Sequence, residues 1–170
     1  MTAEEAAEEE AKGNYVSEVK DKGFQRIVAS PKPVAIVEID AIRALMDADQ
    51  MVIACGGGGI PVMEQGYYLK GASAVIEKDL VSGLLAKEVD ADVLMIVTSV
   101  DNVSLNYGTP EEAPIDTMSI ADAHHYIEEG HFEFASMLPK VEAAIAFIEA
   151  GRDRSAIITS LAKARESLHG

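Results

Sequence analysis

The stretch from Met51 to Val62 constrains the fold more than any other part of the chain. It starts with an uncharged run, Met-Val-Ile-Ala-Cys, continues with four consecutive glycines, and restarts with Ile-Pro-Val. Such a run is typical of a strand buried on both faces of a parallel sheet. Ligands bind beyond the carboxyl ends of these strands, where glycine lets backbone N–H groups approach an anion. We therefore expect a loop for a small phosphorylated or carboxylated ligand; a plain flexible turn is the alternative.

The charge balance excludes several classes of partner. The 170 residues carry 14 basic and 29 acidic side chains, a net charge of −15. General binding to nucleic acid or to an anionic membrane needs a basic face, so we expect neither. Cys55 is the only cysteine, which rules out an intramolecular disulfide. Because no apolar run reaches about 18 residues and the start is acidic, we expect a cytoplasmic protein.

Local signals predict a small N-terminal region with a helix and a hairpin. Thr2 and Glu5 form a capping-box pattern for a helix that ends at Gly13. Alternating residues at 15–19 and 24–28, with a turn at 21–23, predict the hairpin. The Ser-Pro-Lys-Pro segment at 30–33 is a stiff extended connector, because two prolines exclude a helix.

Helices and strands alternate through the rest of the chain. We expect helices over 37–48, 80–89, 119–127, 136–150 and 160–168, strands over 51–55, 92–97 and 155–158, and an exposed loop at 110–114. This order predicts one domain of α/β class with a mainly parallel sheet and right-handed crossovers.

Three charged residues are candidates for a functional site. Lys78 and Asp79 precede a helix predicted to begin at Leu80, and a simple N-cap aspartate beside an exposed lysine is the alternative. Lys140 falls in the first turn of the helix predicted from Ser136, where the helix dipole disfavours a cation. A bound anion would remove that penalty. Lys32, like Arg26, lies over a site or is simply solvated.

The remaining motifs favour phosphoryl transfer. The four histidines show no metal-ligand spacing, and no serine–histidine or cysteine–histidine pattern is present, so we assign no metal site. Two lysines, an aspartate and a glycine loop suit a reaction that depends on positioning and positive charge. The chain lacks a GxxxxGK[ST] motif, so it is not a P-loop enzyme.

Seven segments in this order resemble carbamate kinase, a member of the amino acid kinase superfamily. They are 54–62 (ACGGGGIPV), 74–80 (AVIEKDL), 101–103 (DNV), 130–132 (GHF) and 136–145 (SMLPKVEAAI), extended by 26–33 and 156–160. The resemblance implies a three-layer αβα sandwich. It also implies phosphoryl transfer between carbamoyl phosphate and MgADP to give ATP and carbamate, usually in arginine fermentation.

The resemblance also assigns roles to residues. Lys78 matches a lysine that contacts the transferring phosphoryl group, Asp79 the aspartate that organises the catalytic lysines, and Lys140 the lysine that stabilises developing negative charge. Gly56, Gly57, Gly58 and Gly59 match the glycine loop near the carbamate, and Arg26 and Lys32 match the lid. The nucleotide pocket corresponds to Thr98, Ser99, Val100, Asp101, Tyr107, Met137, Leu138 and Pro139. Mg²⁺ is expected to arrive with ATP or ADP, held by phosphates and water.

The chain departs from the family pattern in several places. Residues 1–33 resemble part of the small protruding lid subdomain, and 34–170 the nucleotide-binding αβα domain, without the family's N-terminal half or its closing segment. Glu-Phe-Ala at 133–135 replaces the usual Ala-Pro-Gly, and Ala29 replaces a proline. Missing strands would leave an open sheet edge. We therefore expect pairing with a second copy or with a separate N-terminal piece.

Three other interpretations remain open. The chain is a nucleotide-binding fragment without activity, or a different amino acid kinase that acts on an amino acid carboxylate or uridylate, or a structural fragment. The retained Lys78, Asp79 and Lys140 argue against the first. The four-glycine and Ser-Met-Leu-Pro-Lys motifs argue against the second.

Overall fold

The computed structural model describes residues 1–19 and 23–168, and these divide into two compact units. The first unit comprises Met1–Pro31 and Ile60–Ile76, and the second comprises Lys32–Gly59 and Glu77–Gly170. The sequence predicts a division of the chain at residue 33, and the first segment of the first unit ends at Pro31. The sequence patterns do not place residues 60–76 in this unit. Within the described ranges, no helix is long and apolar enough to cross a membrane.

The first unit begins with a capped helix. Helix α1 covers Ala3–Ala11, and the capping box between Thr2 and Glu5 is formed in both directions. Strands β1 (Tyr15–Val19) and β2 (Gly23–Ile27) pair antiparallel. The turn predicted at 21–23 lies mostly outside the described residues. Local capping and alternation are sufficient to define these elements because their partners lie nearby in sequence.

A second hairpin, which the sequence patterns did not indicate, completes the first unit. Strands β3 (Val62–Gln65) and β4 (Tyr68–Gly71) pair antiparallel around a two-residue turn. Every residue of both strands is exposed, so no burial pattern marks them in the sequence. The backbone N–H of Val75 donates to the carbonyl of Ala29 at 2.9 Å, which joins the two segments of this unit.

The second unit contains the remaining elements. They are α2 (Ile39–Asp47), α3 (Lys78–Glu88), β5 (Val93–Thr98), β6 (Val103–Leu105), β7 (Ala113–Ile115), α4 (Ile120–Glu128), α5 (Met137–Glu149), β8 (Ser155–Ser160) and α6 (Ala164–Ser167). The helices predicted from 37, 119 and 136 are confirmed within a few residues. Ser119 caps α4 through a capping box with Asp122, as its position indicates. The last helix is much shorter than expected.

The core of the second unit lies on one face of the parallel pair β5–β8. Leu94 and Ile96 of β5 pack with Ala86 of α3 and with Ala143 and Phe147 of α5. Phe147 is completely buried. A second cluster joins β6, α4 and α5 around Val141. Val93 and Val97, on the other side of β5, stay exposed, so the described chain covers one face of this pair.

The expected central strand at 51–55 is wrong for this chain. The segment forms no strand, and Met51 and Ile53 are each 96% exposed. Val52 and Ala54 are partly buried, so the alternation of a strand persists without a hydrogen-bonded neighbour. A strand needs a second strand alongside it to satisfy its backbone groups. The apolar run therefore encodes a pairing that the described residues do not supply.

The sheet differs from the expected mainly parallel one. Among the described strands, only β5 and β8 pair parallel, and the other three pairs are antiparallel hairpins. Part of the predicted loop at 110–114 is strand β7. Three-residue strands such as β6 and β7 are too short for alternation to reveal them.

Helices α3 and α5 approach each other closely at Gly83. A Cβ atom added at Gly83 would lie 3.1 Å from both the Cβ and the carbonyl oxygen of Ala143. Asp79 lies one turn before Gly83, and Lys140 lies one turn before Ala143. The absence of a side chain at Gly83 therefore lets the two helices place Asp79 and Lys140 next to each other.

We predict that Gly83→Leu lowers the free energy of unfolding by about 1–3 kcal/mol, as overpacking does in a close-packed interior. The matched control is Lys87→Leu, which adds the same side chain at an exposed position of α3. Urea unfolding followed by circular dichroism measures both. Equal stability of the two variants would contradict the close contact of α3 with α5.

Candidate active site

The first turn of α3 presents two of the predicted catalytic residues. Lys78 and Asp79 are the first two residues of the helix, and Glu77 is the N-cap. The predicted start at Leu80 is thus two residues late, and Asp79 is not the cap. A carboxylate in the first helical turn interacts favourably with the helix dipole. The helix start therefore places the buried carboxylate of Asp79 at the end of α3 that favours a negative charge.

Asp79 and Lys140 form a buried ion pair. Nζ of Lys140 donates to Oδ2 of Asp79 at 2.7 Å, and the two side chains are only 10% and 9% exposed. Lys140 is the fourth residue of α5, so its charge sits near the unfavourable end of that helix dipole. Asp79 compensates that charge directly. Buried charges are retained in proteins when they are paired in this way.

Lys78 shares the same carboxylate oxygen from the solvent side. Its Nζ lies 3.4 Å from Oδ2 of Asp79 and 3.2 Å from Oε1 of Glu77, and its side chain is 56% exposed. Partial burial lowers the pKa of Lys78, but the neighbouring carboxylates of Glu77 and Asp79 outweigh it and leave the pKa raised. Lys78 is therefore an ammonium group at neutral pH, free to contact an anion.

A cavity of about 260 Å³ opens beside Lys140. It lies where β5 ends and α5 begins, the position in which parallel strands commonly present ligand-binding loops. Five of the residues predicted for the nucleotide pocket line it: Thr98, Ser99, Val100, Tyr107 and Met137. The structure thus brings these five residues together with Lys140, although they come from separate parts of the chain.

Three other residues predicted for this pocket are not among the residues that line the cavity. Asp101 lines a different and larger cavity of about 560 Å³, between β8, α4 and α5. Leu138 and Pro139 belong to the first turn of α5 but are absent from the lining of the smaller cavity. The larger cavity contains none of the lysines discussed above, so it is the weaker candidate for an anionic ligand.

The smaller cavity also contains residues that sequence reasoning missed. These are Asn102, Ser104, His131, Phe132, Glu133 and Ser136. Ser136 is the N-cap residue of α5 but makes no side-chain capping hydrogen bond; its hydroxyl instead donates to Oε2 of Glu133 at 2.6 Å. The polar residues His131, Glu133 and Ser136 are visible in the sequence. Their spacing does not show that this segment lies beside the end of β5.

The glycine loop is a tight turn in the second unit. Gly56, Gly58 and Gly59 all have positive φ, which favours glycine, and Cys55 before them also has φ of 64°. The N–H of Gly58 donates to the carbonyl of Cys55 at 2.8 Å. Burial, followed by the charge of Glu38, raises the pKa of the Cys55 thiol. The loop has the predicted glycine conformations, and Cys55 is a thiol at neutral pH.

The two predicted lid residues fall in different units. Arg26 belongs to β2 of the first unit. Lys32 belongs to the second unit, where its Nζ contacts Oε1 of Glu142 on α5 at 3.0 Å. Glu142 lies two residues after Lys140, so Lys32 contacts the helix that carries Lys140.

The described residues contain no group of three or more histidine, cysteine, aspartate or glutamate side chains that could hold a metal ion. His131 contacts Asn106 and Glu129, while His124 and His125 each contact a single glutamate. His169 lies outside the described residues. The carboxylate of Asp79 faces two ammonium groups, so it is not arranged as a magnesium ligand.

The fold and the site together define a class of protein. Residues 6–160 match the profile of the Amino acid kinase family. The chain belongs to this family.

Individual relatives narrow the likeness to carbamate kinases. The chain is 49% identical to the carbamate kinase-like protein YqeA of Escherichia coli (strain K12), covering 100% of this chain and 55% of that protein. It is 47% identical to carbamate kinase of Clostridium perfringens (strain 13 / Type A), over 99% of this chain and 54% of that protein. The structure of carbamate kinase from Giardia lamblia bound to AMP-PNP superposes on this chain with a TM-score of 0.89 at 38% identity. The superposition covers 100% of this chain and 54% of that one. The predicted resemblance is confirmed, and the chain spans about half the length of these relatives.

We predict that Asp79→Ala lowers the free energy of unfolding by about 3–5 kcal/mol, because it leaves Lys140 buried without a partner. Lys140→Met should cost less, since Asp79 keeps Lys78 and the methionine fills the space of the lysine stem. The control is Lys163→Met, which removes an exposed lysine paired with Glu166 and should leave the unfolding midpoint unchanged. An Asp79→Ala midpoint equal to that of the control would contradict the buried pair.

Proposed function

We propose that this chain forms the nucleotide-binding part of a carbamate kinase that transfers a phosphoryl group between carbamoyl phosphate and MgADP, giving ATP and carbamate. The observation that carries the proposal is the Lys78–Asp79–Lys140 cluster beside the cavity lined by Thr98, Ser99, Val100, Tyr107 and Met137. The similarity to carbamate kinases along the whole chain supports it.

The cluster suits the electrostatics of phosphoryl transfer. Charge in that reaction spreads over the equatorial oxygens of the transferring group, so fixed positive charges lower the barrier. In our proposal Lys140 stabilises this developing charge, and Asp79 holds the ammonium group of Lys140 in place. Lys78 is more exposed and contacts the phosphates of the nucleotide and the transferring group. The 2.7 Å hydrogen bond to Asp79 fixes the position of the ammonium group of Lys140.

The cavity supports a role in holding the nucleotide. In our proposal Thr98, Ser99 and Val100 at the end of β5, with Asp101 just after them, border the nucleotide. Tyr107 and Met137 offer apolar surface to its base, and Leu138 and Pro139 support Met137 from the first turn of α5. Gly56–Gly59 then face the carbamate end, while Arg26 and Lys32 belong to a lid.

Magnesium enters this proposal as the counterion of the nucleotide. We expect the ion to be held mainly by the phosphates of the nucleotide and by water. When bound, magnesium neutralises phosphate charge. The lysines of this chain supply the remaining positive charge at the site.

The exposed apolar residues indicate that the working protein buries more surface than this chain does alone. Met51 and Ile53 are almost fully exposed in a segment that alternates like a strand. We propose that they pair with a second copy or with a separately made N-terminal piece, within a cytoplasmic enzyme of arginine metabolism. A monomeric species in light scattering at working concentration would count against self-pairing.

The proposed activity is tested by ATP formation from carbamoyl phosphate and MgADP with the purified chain. We expect Lys140→Ala to lower turnover by about 10²–10³-fold, as loss of one preorganised charge stabiliser does. Lys78→Ala should also lower turnover, whereas Lys163→Ala, at an exposed position away from the cluster, should not. Unchanged turnover in the Lys140→Ala variant would contradict the role of Lys140.

A second candidate function is nucleotide binding without turnover. It is favoured by the smaller cavity, which five residues predicted for the nucleotide pocket line. Binding of ADP by the purified chain without ATP formation would support this candidate.

A further inference from the structure

We propose that His131 is a positioning residue of the nucleotide pocket, which holds the turn carrying Tyr107 against the end of α4. This inference rests on the proposed function, because the place of Tyr107 matters only when a nucleotide occupies the cavity. His131 and Tyr107 both line that cavity, together with Lys140.

The ring of His131 connects two separate parts of the second unit. Its Nδ1 lies 2.9 Å from Oδ1 of Asn106, in the turn between β6 and β7, and its Nε2 lies 3.1 Å from Oε2 of Glu129, at the end of α4. Oδ1 of Asn106 is an oxygen acceptor, so the bond to Asn106 requires an N–H at Nδ1 of the ring. The side chain is 19% exposed, which shields both bonds from competing water.

The turn between β6 and β7 depends on such an anchor. The two strands are three residues long, and a hairpin of this size is only marginally stable by itself. Asn106 has a φ of 50°, a conformation that asparagine tolerates better than most residues. Tyr107 follows it and is 60% exposed, so packing does not fix its position. The bond from His131 to Asn106 joins this turn to α4.

A purely structural role for His131 is the competing explanation. Its ring packs edge-to-face on Tyr126 with centroids 5.7 Å apart, and replacing it removes that contact as well. The two roles depend on different parts of the His131 side chain. Packing on Tyr126 needs the ring, whereas positioning of Tyr107 needs the donor at Nδ1.

Two conservative replacements distinguish these roles. Asparagine at 131 puts an amide near the place of Nδ1 and retains the bond to Asn106, whereas glutamine reaches toward the place of Nε2 and retains only the bond to Glu129. Both lose the aromatic ring. A structural role therefore predicts similar behaviour of the two variants, and a positioning role predicts that they differ.

The experiment measures ADP affinity by calorimetry and the unfolding midpoint without ligand, using the full chain. We expect His131→Asn and His131→Gln to unfold at similar midpoints. His131→Asn should bind ADP nearly as the original chain does. His131→Gln should bind about tenfold more weakly, because Tyr107 loses part of its contact with the base.

Asn106→Gly provides a second route to the same result. Glycine keeps the positive φ and removes the acceptor of the His131 bond. It should weaken ADP binding by about tenfold, and combining it with His131→Gln should give no further loss. His124→Ala is the matched control, because His124 is an exposed histidine of α4 that contacts Glu149 and is not among the residues that line the cavity.

Three outcomes would overturn the inference. Equal ADP affinities of the asparagine and glutamine variants would show that the Nδ1 bond is irrelevant. Unchanged affinity of Asn106→Gly would show the same without altering the histidine. If the original chain itself binds no ADP, the proposed function fails, and this inference fails with it; normal binding by the original chain combined with unaffected variants overturns the inference alone.

Discussion

The ion pair between Asp79 and Lys140 is the interaction on which the rest of the second unit depends. Two charges buried at 2.7 Å are stable only if the helices that carry them are held closely and rigidly. The contact of Gly83 with Ala143 supplies that closeness, and Phe147 and Val141 anchor α5 in two apolar clusters. The same packing places Lys140 at the edge of the smaller cavity. Core packing and site geometry are therefore one constraint in this protein.

The apolar surface left outside the core shows what the described chain lacks. One face of β5–β8 is covered by α3 and α5, while Val93, Val97, Met51 and Ile53 remain exposed. These residues are patterned for burial, and burying an apolar side chain of this size is worth about 1.5–3 kcal/mol. The chain spans about half of the length of its relatives, and among the described residues no strand pairs with 51–55.

Sequence reasoning predicted features that depend on nearby residues. The capping box at Thr2, the start of α4 at Ser119 and the limits of α2 and α5 were recognisable, because caps and helical spacing are local. It failed where structure depends on distant partners. Among the described residues, no strand lies beside the run at 51–55. Asp79 and Lys140 are 61 residues apart, so no spacing rule links these two partners. Their juxtaposition followed only from the resemblance to carbamate kinase, and His131 was missed because its partner Asn106 lies in another loop.

The most direct test of the account is to map MgADP on the chain by amide chemical-shift changes in nuclear magnetic resonance. We expect chemical-shift changes at Thr98–Val100, Tyr107 and Met137–Lys140. These residues border the smaller cavity or belong to the helix turn that carries Lys140. The larger cavity, near Ile115 and Ile157, should be unaffected. Changes centred on the larger cavity, or no changes at saturating nucleotide, would contradict the claim that Asp79 and Lys140 organise a nucleotide site.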